Sequence, residues 1–529
     1  MTLYQWFLFF LIIQVVHFIG TWKLYEKAGR KSWEAAIPVY NAIVLMKIIN
    51  RPAWWTILLF IPIINLIMFP VVWVETIRSF GKKTTLDTVL VLLTFGLYIY
   101  YINYTQDVTH IKDRSLVSPT KTGDTVSSLL FAIVVATLVH TYVMQPFTIP
   151  TSSLEKTLLV GDFLFVSKFH YGARTPMTTV ALPMVHDSIP MVPKLSDSIP
   201  FLNRRSYLRK PQLPYFRFPG FEDIEKNDIV VFNWPADTVY KFFDKSGRRA
   251  TKPLDKRSNY VKRCVATPGD VLSIKDGLVF IDGKELKLSD RAKPQYTYLA
   301  TYDKNTPLDF EFILKDVGVT DGAGFRDANR DTLIISALTF EGAEKLKSIP
   351  GIKSVSRYID KSKGDFSIFP HNKNWTSDNY GPITIPAEGA TVELNKENLP
   401  MYQRIIEVYE NNDLKVNGDE IRINGAIAKS YTFKQDYYWM MGDNRHRSED
   451  SRYWGFVPAD HIVGKPVFIW MSLDQNIGWN KAIDKIRWDR MFTTVGGDGE
   501  PYSYFKFFLI ALAAYFGINY FIKKKKAKN

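Results

Sequence analysis

Long apolar runs near both ends of the chain, at 4–22, 35–49, 53–77, 86–104, 127–147 and 505–522, restrict where a water-soluble domain can form. A helix needs roughly 20 apolar residues to cross the hydrocarbon core of a bilayer. The runs at 4–22, 127–147 and 505–522 have about that length. Between the last two, over 150–502, apolar residues thin out and the chain reads as a folded region outside the bilayer. A chain of 529 residues also exceeds one ordinary core, so several modules are expected.

Basic residues mark orientation. Lys23, Lys27, Arg30 and Lys31 follow the first run, and Lys523, Lys524, Lys525 and Lys526 follow the last. Lysine and arginine favour the cytoplasmic side of a span, which predicts a cytoplasmic C-terminus and, by alternation, an extracytoplasmic region 150–502. No small-x-small site ends the first run, so it is expected to be an anchor and not a cleaved signal. The net charge of +14 is then mainly a topology signal. Because these cations form no single stripe, no nucleic-acid partner is expected. The one cysteine, Cys264, excludes an internal disulfide and a thiolate metal cluster.

Residues 37–41 (Ile-Pro-Val-Tyr-Asn) and 61–65 (Ile-Pro-Ile-Ile-Asn) form a short internal repeat whose prolines break helices. The number of N-terminal crossings therefore stays open. The soluble region reads as β-structure, with hairpins at 271–286 and 414–428 around Asp-Gly and Asn-Gly turns. A strand, helix and strand at 331–338, 341–347 and 352–359 interrupt it as a small α+β insertion. Segment 175–219, rich in proline and basic residues, is a loop that either flanks a groove or is a solvated excursion.

Three blocks carry candidate chemistry. The first is a hydroxyl-rich turn directly after the fifth run, Thr151-Ser152-Ser153-Leu154, followed by Gly161-Asp162. Serines and threonines also populate turns for ordinary reasons. The second is the apolar strand Tyr260-Val261-Lys262-Arg263-Cys264-Val265, ending at Pro268-Gly269-Asp270. Alternation places Lys262 on the face of Tyr260 and Cys264. Burial there would lower its pKa and suit it to act as a base; on the strand alone, a surface lysine on an edge strand is the stronger reading. The third block is Gly442-Asp443-Asn444-Arg445-His446-Arg447-Ser448-Glu449-Asp450-Ser451-Arg452, a run of loop formers and ionisable groups.

Taken in order, these blocks resemble bacterial type I signal peptidase, a serine protease family that uses a lysine base. Gly161-Asp162, the strand at 228–232, Val463-Gly464-Lys465 and Trp470-Met471-Ser472 belong to the same pattern. The resemblance covers roughly 127–285 and 415–475. It implies Ser153 as nucleophile, Lys262 as general base, Ser448 as the hydroxyl that orients the lysine, and Thr151 with the Ser153 N–H as oxyanion hole. Asp450 and Arg452 would support the site as an ion pair, with Asp443 beside them. Leu154 stands where the family customarily has methionine, an apolar residue of similar volume. Lys156 stands where it has proline and slightly weakens the choice of Ser153 over Ser152, but the spacings Thr151-x-Ser153 and Ser153 to Gly161-Asp162 still favour Ser153.

The resemblance further implies a multi-pass membrane protein with a mainly β extracytoplasmic catalytic domain of signal-peptidase type, carrying the α+β insertion. The expected modules are an N-terminal membrane module (1–121), an anchor (122–147), a catalytic domain in two parts (148–285 and 415–502), an inserted cap (286–414) and a C-terminal span with its lysine tail (503–529). It places the chain in the bacterial inner membrane with its catalytic side periplasmic. Its partners would be the lipid bilayer and exported preproteins cut after small residues, with room for association with the export machinery; neither metal nor organic cofactor is called for. Other readings compete. A Ser/His/Asp hydrolase would use His446 or His170, read here as a surface residue and a strand end, but no Gly-x-Ser-x-Gly elbow is present. A metal hydrolase lacks a His-Glu-x-x-His helix. A β-rich binding module tethered to the membrane predicts that Ser153 and Lys262 are replaceable.

Overall fold

The computed structural model describes residues 1–117, 120–189, 204–237, 250–326, 328–362 and 364–526. The chain divides into two compact units. One comprises Met1–Val143, Arg174–Phe218 and Thr251–Arg257, the other Met144–Ala173, Pro219–Ala250 and Ser258–Asn529.

The first unit is helical, with Leu3–Lys27, Tyr40–Ile48, Asn65–Ser79, Thr85–Leu93, Tyr98–Thr105 and Lys121–Leu138 as its main helices. Among the described residues, Leu3–Lys27, Lys121–Val143 and, in the second unit, Phe505–Lys525 are long and apolar enough to cross a membrane. Thr85–Leu93 and Tyr98–Thr105 form a pair bent by 117°. The runs at 35–49 and 53–77 are broken at the repeat. Val39 and Ile63, each following a proline, take φ of 68° and 70°, and helices restart at Tyr40 and Asn65. Proline disfavours a continuous helix, and a β-branched residue at positive φ interrupts the chain further before the next helix starts. Buried Glu75 joins the helices by accepting from Arg51 at 2.9 Å and Arg114 at 2.5 Å.

The described part of the proline-rich segment belongs to this unit. It folds back on itself through the isolated bridges Arg174↔Arg217, Thr178↔Gln212, Ala181↔Tyr207 and Ser188↔Arg205. Ile63 packs with Ala181 and Tyr207, and Trp6 Nε1 donates to the Gln212 carbonyl at 2.8 Å. Single bridges broken by prolines leave no periodicity to read. Residues 190–203 of that segment lie outside the described residues.

The second unit is mainly β. Its largest sheet has eight strands, in the order Met144–Thr148, Asp162–Ser167, Ile462–Ser472, Ile229–Asn233, Asn259–Ala266, Tyr437–Met441 and Val457–Pro458, with Thr493–Thr494 paired to Ile462–Ser472. The expected hairpin at 271–286 forms the strands Val271–Lys275, Leu278–Ile281 and Lys284–Glu285, and 414–428 forms Leu414–Asn417, Glu420–Ile423 and Ala426–Ile427.

Region 286–414 is shared between two cores. Gln295–Tyr302, Ala323–Phe325, Thr332–Thr339 and Ile352–Arg357 make a four-stranded sheet that buries Tyr298, Leu333 and Ile335 against Ile313 and Leu346 of the helices Phe310–Asp316 and Phe340–Lys347. Farther along, Tyr380, Ile383, Leu399 and Ile406 pack with Leu272, Ile274, Tyr437 and Trp439 in a core built from both parts of the expected catalytic domain.

Candidate active site

The hydroxyl turn begins where the strand Met144–Thr148 ends. Ser152–Leu154 forms one turn of 3-10 helix, and Thr151 precedes it in extended conformation without spending its side chain on a cap. Leu154 and Leu158 sink into the core beside Leu164 and Val231, which pins the turn to the sheet. Lys156 takes a φ of 71°. A proline, locked near about −65°, cannot adopt that angle, so this turn requires a residue other than the family's customary one.

Lys262 lies in the middle of the sheet and not at an edge. Its strand pairs on one side with Ile229–Asn233, with Val230 opposite Lys262, and on the other with Tyr437–Met441. The alternation holds: Tyr260 and Cys264 share a cluster with Val230, Phe232 and Met440, while Val261 and Val265 pack into other cores. Lys262 is 3% exposed and Ser153 6%, and Lys262 Nζ donates to Ser153 Oγ at 2.5 Å. Burial in this apolar sheet pulls the Lys262 ammonium down to about 8, with the carboxylates of Asp450 and Glu449 opposing the shift. The neighbouring hydroxyl is engaged elsewhere, because Ser152 Oγ donates to Asp321 Oδ2 at 2.9 Å.

The third block wraps around this pair. The Asn444 N–H donates to the carbonyl of Ser153 at 3.0 Å. A Cβ on Gly442 would overlap Ser448 Oγ and lie 2.6 Å from the Ser153 carbonyl oxygen, so glycine alone lets Ser448 and the turn approach. Ser448 Oγ is buried with no hydrogen-bond partner among the described residues. Asp450 and Arg452 form the expected ion pair, with Nε to Oδ1 at 2.9 Å and Nη2 to Oδ2 at 2.8 Å. Asp450 also accepts from the Gly442 N–H at 3.1 Å. Burial pushes its carboxyl up, but the Arg452 charge and hydrogen bonds outweigh that and hold it below the ordinary range.

Asp443 has a partner that the sequence reading did not supply. Arg263, next to Lys262 but on the opposite face, donates Nε and Nη2 to Asp443 at 2.8 and 2.7 Å, and Thr157 Oγ1 adds a bond at 2.6 Å. A guanidinium in a strand of buried residues was the available signal, since such a charge needs a counterion. His446 is not a surface residue. It accepts at Nδ1 from the Thr297 N–H at 3.0 Å and meets Asp378 through Nε2 at 2.8 Å. His170, just past Asp162–Ser167, bonds Ser167 Oγ at 2.5 Å, in keeping with a strand-end position.

The profile of the family described as signal peptidase, peptidase S26, matches residues 122–332 and 382–471. A second profile, of a family of unknown function, matches 33–113. Signal peptidase I of Haemophilus influenzae is 24% identical over 386 residues, covering 73% of this chain and 79% of the relative. Signal peptidase I of Helicobacter pylori is 24% identical over 383 residues, 70% of this chain and 92% of the relative, and that of Rickettsia typhi 24% over 378 residues, 70% and 90%. The chain belongs to the signal peptidase family, peptidase S26, and is a serine endopeptidase that removes signal peptides from preproteins.

Proposed function

We propose that Ser153 is the nucleophile and Lys262 the general base of this peptidase, acting at the extracytoplasmic face of the bacterial inner membrane. The observation that carries this reading is the 2.5 Å contact between Lys262 Nζ and Ser153 Oγ, both buried, with the lysine pulled down to about 8. Neutral Lys262 takes the proton as Ser153 Oγ attacks the scissile carbonyl, then returns it to the leaving amine; water resolves the acyl-enzyme in a second round. The Ser153 N–H and the Thr151 hydroxyl, which is not spent on a cap, stabilise the developing oxyanion in this reading. Ser448, whose buried Oγ has no hydrogen-bond partner among the described residues, is the hydroxyl available to orient the lysine, while Asp450, Arg452 and Asp443 hold the third block in place.

The substrates are exported preproteins cut after small residues, presented as an extended segment to a strand edge. Helices flanking the β-rich unit in sequence, Lys121–Val143 and Phe505–Lys525, confine enzyme and cleavage site to one surface. The test is cleavage of a signal-peptide-bearing preprotein in liposomes by the native chain, Ser153→Ala and Lys262→Ala. Loss of cleavage in both folded variants supports the assignment, and unchanged cleavage in either overturns it.

A further inference from the structure

The four-stranded sheet of region 286–414 reaches the proposed catalytic turn through one carboxylate. Asp321 sits in the link between the helix Phe310–Asp316 and the edge strand Ala323–Phe325, whose register Ile335↔Ala323 fixes the loop to the sheet. The Ser336 N–H also donates to the Gly322 carbonyl at 2.9 Å. From this support Asp321 Oδ2 accepts from Ser152 Oγ at 2.9 Å and from Asn444 Nδ2 at 3.4 Å, and it pairs as an ion with Arg447, whose Nε lies 3.0 Å away.

Each donor borders a residue of the proposed machinery. Ser152 precedes Ser153 and Arg447 precedes Ser448. Asn444 bonds the turn directly, by N–H to the Ser153 carbonyl at 3.0 Å and by Nδ2 to the Ser152 carbonyl at 3.3 Å. The same sheet grips the intervening residues: the Arg445 N–H donates to the Gln295 carbonyl at 2.9 Å, and the Thr297 N–H to His446 Nδ1 at 3.0 Å. Asn444, Arg445, His446 and Arg447, the run leading to Ser448, are thus all tied to this sheet and its loop by hydrogen bonds or an ion pair.

We propose that Asp321 is a positioning residue of the peptidase reaction: by binding Ser152, Asn444 and Arg447 at one oxygen, it holds Ser153 and Ser448 in register with Lys262. This rests on the reading of Ser153 and Lys262 as nucleophile and base. This sheet then completes the catalytic site, and the Ser152 hydroxyl is a structural tether and not a second nucleophile.

The test uses the full chain in liposomes with a signal-peptide-bearing preprotein, kcat being referred to titrated active sites. A tether that slackens misplaces the reacting atoms, and misplacement by about 1 Å lowers rates by about 100-fold. Asp321→Ala is expected to lower kcat by about 10- to 100-fold with KM changed by less than about threefold, because substrate binding is not what the tether serves. Ser152→Ala removes one donor of the same network, so the Asp321→Ala/Ser152→Ala variant is expected to fall no further than the slower single variant. Should Asp321→Ala fail to accumulate in membranes, Asp321→Asn, which keeps the size and one acceptor oxygen, carries the test with an intermediate loss of kcat. Wild-type kcat per active site in the Asp321 variants, or losses that multiply in the double variant, overturn the proposal. Ser153→Ala in the same assay separates the two ideas: if it still cleaves, the dyad reading has failed; if it is inactive while Asp321→Ala is at wild-type kcat, only the positioning role has.

Discussion

Arg263 and Asp443 meet through two hydrogen bonds, Nε to Oδ1 at 2.8 Å and Nη2 to Oδ2 at 2.7 Å, on the face of the strand opposite Lys262. The pair ties the lysine strand to the third block. It also neutralises the guanidinium nearest in sequence to a lysine that must lose its charge to work as a base. Removing one member strands a buried charge, so Arg263→Met is expected to destabilise the chain by about 3–5 kcal/mol. Replacing both members by apolar residues is expected to cost less than Arg263→Met alone. Chemical denaturation of detergent-solubilised protein checks this, and two independent, additive losses would count against it.

Gly442 is where the approach of Ser448 to the nucleophile turn leaves no room for a side chain. Gly442→Ala must push Ser448 or the Ser153 carbonyl aside, and a displacement of about 1 Å corresponds to roughly a 100-fold loss of rate. Preprotein cleavage at saturating substrate reads this directly. Wild-type kcat in Gly442→Ala would show that Ser448 need not sit against the turn.

Cys264 shares the buried face of Lys262 and is 0% exposed. Burial pushes its thiol well above the ordinary range. With both access and thiolate withheld, native protein is expected to resist iodoacetamide at pH 8 and to be modified once unfolded. Mass spectrometry after timed alkylation measures it, and rapid labelling of the native chain would mean that the sheet opens at the lysine strand.

Asp450 gives a pH dependence of stability. Its folded-state carboxyl lies below the ordinary range, so the pair with Arg452 contributes stability above the unfolded carboxylate pKa of about 3.9, which is lost as pH falls through the folded value. The melting temperature of the native chain should therefore fall more between pH 5 and pH 3 than that of Asp450→Asn. Equal slopes for the two would remove Asp450 from the acid response.

What could be read in the sequence follows from how local each feature is. Asp450 and Arg452 stand two residues apart, and Lys262 shares a strand face with Tyr260 and Cys264 by simple alternation. The partner of Asp443 lies 180 residues away, and that of His446 lies 68 away, so only the folded chain brings them together. Pro38 and Pro62 announce that the apolar runs at 35–49 and 53–77 are interrupted, but nothing in composition announces the positive φ that Val39 and Ile63 take there. The strand Gln295–Tyr302 carries its own signal, with Tyr296, Tyr298 and Ala300 alternating into a core, yet it falls outside the strand-helix-strand pattern read over 331–359. The spacing to Thr151 and Gly161-Asp162 already favours Ser153 over Ser152, but the partners that separate their hydroxyls, Lys262 for Ser153 and Asp321 for Ser152, lie far along the chain and meet them only in the fold.

The central claim is that a buried, neutral Lys262 activates Ser153, and the pH dependence of kcat/KM for preprotein cleavage tests it most directly. Because Lys262 is pulled down to about 8 and must be unprotonated to accept a proton, kcat/KM should rise with pH along a single limb of apparent pKa about 8. A flat profile from acid to neutral pH, in a chain whose fold is intact throughout, would contradict the account.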